Sequence, residues 1–399
     1  MRHGMLERVD EFRVELRRRQ NKRVFTLDRQ IDSAAPLTDI VAALDDVQGI
    51  DANLPHLLAH FHRLGARAFV EELSGLGFFD RLLWLLGQQE HRAVIAGLNC
   101  SSFLIYLLLL EGGQGAANQQ AVELGLTRAI AGLATTASSA DELLPFVRYF
   151  SARVEETALP DEFWKQDWPA LSARLRAELA GRAASAELKA AAIELLAETV
   201  PCSEDTRTAS GRAGLLVAAE SAAQCEEQSV QIGALKLVAA LFESAEPDWW
   251  RHYFASSVHA LLVRSLLAEE RVLVECALEV TGQLFTAAVD LPVVAEAALL
   301  AGLGFEVLFP RLNQLLARSH FREGVSDLLC TVLRIPATWT YTALDGLVEA
   351  FGVGLTDMSA DCARPTLEVL LVFLELAERS VGERFVLQHP ELLDSLVRL

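Results

Sequence analysis

Short amphipathic segments rich in leucine and alanine, separated by glycine, proline or polar breaks about every 40 to 50 residues, predict an all-α chain built from repeats. Two compositional observations support this. Prolines number only 12 of 399 residues and aromatics make up 7%, so the β-branched and aromatic enrichment of sheets is missing and almost no strand is expected. Hydrophobic residues reach 52% against 22% charged, enough apolar surface for a large core and the wrong balance for disorder. The break spacing is that of armadillo and HEAT repeats, so the expected architecture is an armadillo/HEAT-like right-handed superhelical solenoid of about eight helical repeats.

In chain order, residues 1–36 are expected to be a basic helical leader and residues 37–399 the repeat domain. In the leader, Leu6, Val9, Phe12 and Leu16 form an apolar stripe at helical spacing, with Arg13, Arg17 and Arg23 placed to present cations along one side. In the repeat domain a glycine-marked junction precedes a leucine-rich helix in Leu73–Phe79, in Val122–Leu126 and in Leu300–Phe305, because glycine tolerates the backbone of a helix stop and a close turn. After the first junction come a helix over Phe79–Leu86, a polar loop, and the uncharged stretch Ala93–Leu110. Gly97, Asn99, Ser101 and Ser102 mark that stretch as a helix buried on all sides rather than a membrane span. Residues 135–214, with Pro145, Pro160, Pro169 and Pro201 and a polar loop over Ser203–Gly211, are the least regular; the chain either bends there or divides into two lobes. Further on, helices over His259–Leu267 and Val272–Ala287 flank a loop at Ala268–Arg271. A single unit of this kind cannot bury its own face. Stacked neighbours supply the core, and the last helix of every repeat lines one common surface.

Several function classes are excluded on chemistry. The six cysteines are scattered singly with no CxxC pair, the pattern of a reducing compartment, so the expected localisation is cytoplasmic and nuclear. Gly112-Gly113-Gln114-Gly115 lacks the lysine and hydroxyl residue of a phosphate loop. His56, His60 and His62 include a pair one helical turn apart, but no glutamate follows His56 and no third ligand is evident, so no metal is expected. No motif selects a catalytic nucleophile, and neither enzymatic activity nor a cofactor is expected. Trp249 and Trp250, beside Arg251 and His252, are candidates for a half-exposed partner surface.

Charge is distributed unevenly. Residues 1–30 carry nine basic and five acidic side chains within a chain of net charge −19, so a +4 head precedes a strongly acidic body. That body repels phosphates and excludes nucleic acid as a partner. A basic helix on an acidic body can dock on an acidic partner or fold back on the body until displaced, and an acidic repeat surface suits protein or peptide partners carrying basic segments.

The segment Val14-Glu15-Leu16-Arg17-Arg18-Arg19-Gln20-Asn21-Lys22-Arg23, followed by Phe25 and Arg29, resembles the importin-β-binding segment of the importin-α family. Pieces near the C-terminus, including Thr366–Leu370 and Leu392–Leu396, resemble that family's last armadillo repeat. The resemblance implies a nuclear-import adaptor in which Arg13, Glu15, Leu16, Arg17, Arg18, Arg19, Lys22, Arg23 and Arg29 engage an importin-β-like carrier while the repeat groove holds a protein or peptide cargo. The family clamps cargo with Trp-x-x-x-Asn pairs, and here no tryptophan is followed by asparagine four residues later. Any cargo is then held mainly through side chains. The alternative is an armadillo scaffold with no part in nuclear import, the leader serving only as a cap.

Overall fold

The computed structural model describes residues 35–45, 47–88, 90–110, 116–156, 159–181, 183–202, 208–242, 252–253, 256–288, 304–335, 347, 350–353, 360–376 and 390. Every regular element among them is a helix. The chain packs as two compact units, Met1–Asp167 and Trp168–Leu399.

The first unit contains α1 (Leu37–Ala42), a 3-10 turn (Ala43–Asp45), α2 (Val47–Leu64), α3 (Ala66–Gly75), α4 (Phe78–Leu86), α5 (His91–Leu110), α6 (Ala116–Thr136), α7 (Ala140–Glu156) and α8 (Asp161–Gln166). The first predicted junction separates α3 from α4. Gly77 adopts φ 72°, a left-handed conformation that only glycine takes without strain, and its N–H closes on Ser74 O at 3.1 Å. Phe78 then enters α4 fully buried. The second predicted junction is overturned: Gly125 lies inside α6, exposed, with open space where a Cβ would stand. A helix absorbs a single exposed glycine at a cost of about 1 kcal/mol, so glycine alone does not break one.

The apolar stretch is α5, which packs against α2, α4, α6 and α7 but is not buried on all sides, since Ile95 and Asn99 are exposed. Leu98, Cys100, Leu104, Ile105 and Leu107 are buried, and the buried Ser101 hydroxyl donates to Gly97 O at 2.8 Å, so its burial leaves no polar group unpaired. Gly97 is small for a reason, since a Cβ there would stand 2.9 Å from Leu86 of α4. No helix among the described residues is long and apolar enough to cross a membrane. Ser138 and Ser139 with Glu142 cap α7. Glu142 N–H donates to Ser139 Oγ at 3.2 Å, while Ser138 N–H and Ser138 Oγ both donate to the Glu142 carboxylate at 2.8 Å, and the two bonds from Ser138 hold that carboxyl below its usual range. A buried ion pair, Arg153 to Glu123 at 2.6 Å, ties α7 to α6.

The second unit contains α9 (Trp168–Ala180), α10 (Ala186–Thr199), α11 (Ala209–Ala223), α12 (Gln228–Phe242), α13 (Ser257–Leu267), α14 (Arg271–Ala288), α15 (Phe305–Leu316), α16 (Arg322–Val332) and α17 (Ala360–Leu376). Its helices alternate between two layers. In one, α9, α11, α13 and α15 touch in succession; in the other, α10 touches α12, α12 touches α14, α14 touches α16, and α16 touches α17. Starts of equivalent helices lie about 40 to 50 residues apart, the predicted period.

Local chemistry sets the ends of these helices. Ser185 Oγ accepts from Leu188 N–H at 3.2 Å to cap α10, and Thr208 Oγ1 accepts from Gly211 N–H at 3.1 Å to cap α11. Ala209–Gly211, expected to belong to the polar loop, is therefore the first turn of α11; a threonine cap with a small-residue first turn starts a helix despite the polar composition. Gly304 repeats the role of Gly77 with φ 62°, followed by the buried Phe305 at the start of α15. Between repeats, the buried Arg311 of α15 donates to Leu266 O at 3.2 Å and Ala268 O at 2.7 Å, satisfying carbonyls at the end of α13. Gly233 permits α12 to cross α10 closely, because a Cβ there would overlap the Ile193 side chain.

Candidate partner-binding face

The layer formed by α10, α12, α14, α16 and α17 is where the sequence reading placed a partner surface, on the last helix of each repeat. Each helix buries one face, through Leu188, Ala192 and Leu195 of α10, Ala234 and Val238 of α12, Ala277 and Val280 of α14, Val325 and Leu329 of α16, and Val369 and Phe373 of α17. The positions turned toward solvent follow at helical spacing: Glu187 and Glu194 on α10; Lys236 on α12; Val272, Glu275 and Glu279 on α14; Glu323 and Asp327 on α16; Glu368, Leu371 and Glu375 on α17. Carboxylates recur on four of the five helices.

Stacking brings these charges within reach of one another. Lys236 of α12 lies 3.9 Å from Glu194 of α10. Arg271 pairs with Glu275 at 2.7 Å on α14, and Arg364 with Glu368 at 3.1 Å on α17. Where α16 meets α17 the balance turns negative. The Asp327 carboxyl is pushed above its usual range, first by desolvation and then by the negative charges of Glu323 and Glu368. Burial raises the Cys330 thiol to about 11, with Asp327 and Glu368 adding to the shift. On α14 burial takes the Cys276 thiol to about 12, reinforced by Glu279. Both thiols are therefore protonated and poorly nucleophilic at neutral pH.

Val272 and Leu371 are 54% and 65% exposed on the same stripes as these carboxylates, which gives the face apolar footholds beside its charges. An arrangement of carboxylates and isolated aliphatic side chains on successive helices can take up the ammonium or guanidinium heads and methylene stems of lysine and arginine. Among the described residues no group of three His, Cys, Asp or Glu side chains could hold a metal ion.

The carrier-binding residues named from sequence, Arg13, Glu15, Leu16, Arg17, Arg18, Arg19, Lys22, Arg23 and Arg29, lie outside the described residues, as do Trp249 and Trp250 and the glycines at 112–115. The individual carboxylates of the α10–α17 layer were not singled out from sequence. Their only sequence signal was the acidity of the body, because no local pattern distinguishes a glutamate on this face from one elsewhere.

Solved structures show the same helical plan. An engineered protein superposes with a TM-score of 0.51 at 15% identity, covering 85% of this chain and 92% of its own. Importin β superposes with a TM-score of 0.52 at 12% identity, covering 94% of this chain and 52% of its own, so the chain spans about half of that protein's length. The fold is an armadillo/HEAT-like helical repeat solenoid. A designed armadillo repeat protein also aligns, at 12% identity and a TM-score of 0.46 over 62% of this chain. No protein-family model matches the chain, and no curated protein matches its sequence.

Proposed function

We propose that this chain is a protein-binding adaptor that receives a basic segment of its partner on the α10–α17 layer. The recurrence of carboxylates along successive stacked helices carries this reading, most of all the crowding of Glu323, Asp327 and Glu368, whose mutual repulsion a cationic side chain would relieve. The finer form is an importin-α-like nuclear-import adaptor, cytoplasmic and nuclear, whose leader engages an importin-β-like carrier. The Val14–Arg23 stretch supports it.

The alternative, a scaffold with no part in import, draws on a specific observation: none of α10, α12, α14, α16 and α17 carries a tryptophan or an asparagine with which to clamp a peptide backbone. One set of binding measurements on the full chain separates these readings. An immobilised lysine- and arginine-rich peptide should be captured in a salt-sensitive manner, and the Glu279→Lys/Asp327→Lys/Glu368→Lys variant should lose about tenfold or more in affinity. An unchanged affinity would sink the basic-partner reading. Capture of an importin-β-type carrier that disappears with Arg17→Ala/Arg18→Ala/Arg19→Ala supports the import form, and no capture leaves the scaffold.

A further inference from the structure

We propose that the α6–α7 hairpin binds an internal water molecule between the hydroxyls of Thr127 and Tyr149, beside the buried Glu123–Arg153 ion pair. Residues 137–139 alone join the two helices, and a link that short makes packed neighbours antiparallel. Glu123 of α6 meets Arg153 of α7 at 2.6 Å, which fixes their register. One turn nearer the loop, four residues on in α6 and four residues back in α7, stand Thr127 and Tyr149. The two hydroxyl residues therefore oppose each other as Glu123 and Arg153 do.

Both side chains are sealed from solvent. Thr127 is fully buried and Tyr149 is 5% exposed, while Leu126, Ile130, Phe146 and Phe150 of the same helices are buried too. The Tyr149 ring packs edge-on to Phe150 at 5.3 Å, and Phe150 stacks on Phe163 of α8. Burial pushes the Tyr149 phenol up to about 12, with Arg153 opposing the rise and Glu123 adding to it. The phenol therefore lies within the field of the ion pair and keeps its proton at neutral pH, ready to donate it.

Neither Thr127 Oγ1 nor Tyr149 OH has a hydrogen-bond partner among the described residues, and the two do not bond each other. Other buried hydroxyls in this chain are satisfied locally: Ser101, Thr199 and Thr281 each donate to the carbonyl one turn back, at 2.8, 2.9 and 2.6 Å. Thr127 makes no such bond, which leaves its hydroxyl for the seam between the helices. Native interiors pair groups of this kind, and an internal water does so where it finds about three polar partners. The seam supplies three. The water accepts from the Tyr149 and Thr127 hydroxyls and donates to the Glu123 carboxylate, which takes one bond from Arg153 Nη2 and has lone pairs for more. It joins α6 to α7 one turn beyond the ion pair, and it is independent of what the α10–α17 layer binds.

Urea unfolding of the full chain carrying Thr127→Val, Tyr149→Phe or both tests this. Each single substitution removes one anchor of the water, and the unfolding equilibrium constant should rise about fivefold or more. The double variant should rise by far less than the product of the two, because the second substitution finds the water already lost. Single substitutions that leave stability unchanged or raise it would mean that these hydroxyls have no partner to lose, and effects that simply multiply would mean that they act apart; either result overturns the proposal. A high-resolution crystal structure of the wild-type chain separates a water from a direct bond between the hydroxyls. A solvent peak within hydrogen-bond distance of both Thr127 Oγ1 and Tyr149 OH supports the proposal, and the two oxygens in direct contact, with no such peak, overturn it.

Discussion

Asp327 shows how a single side chain records the stacking around it. Desolvation, Glu323 and Glu368 all favour its protonated form in the folded state, so the native protein holds this proton to higher pH than the unfolded chain does. Stability is then lost as pH rises from its ordinary value near 3.8 through the raised native value, and above that window the ionised carboxylate opposes folding. Asp327→Asn is expected to raise stability at neutral pH, and the gain should fade as pH falls toward about 4 through the raised native value, where the wild-type side chain takes up its proton. Urea denaturation of both proteins at the two pH values checks this; a variant less stable at neutral pH would show that Asp327 is held by a partner rather than crowded by like charges. The sequence places Glu323 and Asp327 one turn apart, which was readable, but Glu368 comes from another helix, and the crowding depends on it.

Helix junctions in this chain depend on backbone geometry rather than on the presence of glycine. Gly77 and Gly304 occupy the left-handed region with open space around the missing Cβ, so replacing either with alanine adds backbone strain alone, about 1–2 kcal/mol. Gly125 also has open space, but within α6. Its replacement by alanine should stabilise by about 0.5–1 kcal/mol through helix propensity. Opposite shifts in unfolding midpoint for Gly77→Ala and Gly125→Ala, measured by circular dichroism, are the expected outcome, and equal signs would contradict the assigned geometry. The two true junctions share the run Gly-Leu-Gly-Phe, in which the aromatic anchors the next helix in the core. Val122–Leu126 has neither the second glycine nor the phenylalanine, and that difference was available in the sequence. Three of the four prolines of the irregular region mark helix ends, Pro160 preceding α8, Pro169 lying in the first turn of α9 and Pro201 following α10, whereas Pro145 lies inside α7.

Over the whole molecule, a net charge of −19 has a consequence apart from any partner. Like charges spread over the folded surface repel one another and are brought closer by folding, so screening should help the folded state. Raising the salt concentration from about 10 mM to about 150 mM, which shortens the Debye length from about 30 Å to about 8 Å, is expected to raise the melting temperature. A fall would indicate that attractive ion pairs such as Arg153–Glu123 and Arg318–Glu269 outweigh the repulsion. The same screening weakens capture of a basic peptide, so salt should move stability and binding in opposite directions.

Helicity, the repeat period, the largely buried character of α5 and the charge of the first 30 residues against the rest were all determined by the sequence itself, because they rest on composition, on the apolar periodicity within each helix and on the spacing of the breaks between helices. Contacts between residues far apart in the chain were decided only by tertiary structure. Stacking brings Lys236 beside Glu194 and Glu368 toward Asp327, and the fold of α1 onto α2 carries Ala35 to His56 and His60, 21 and 25 residues away. No local pattern encodes such pairs, since each depends on the crossing of helices whose spacing is set by small residues such as Gly97 and Gly233.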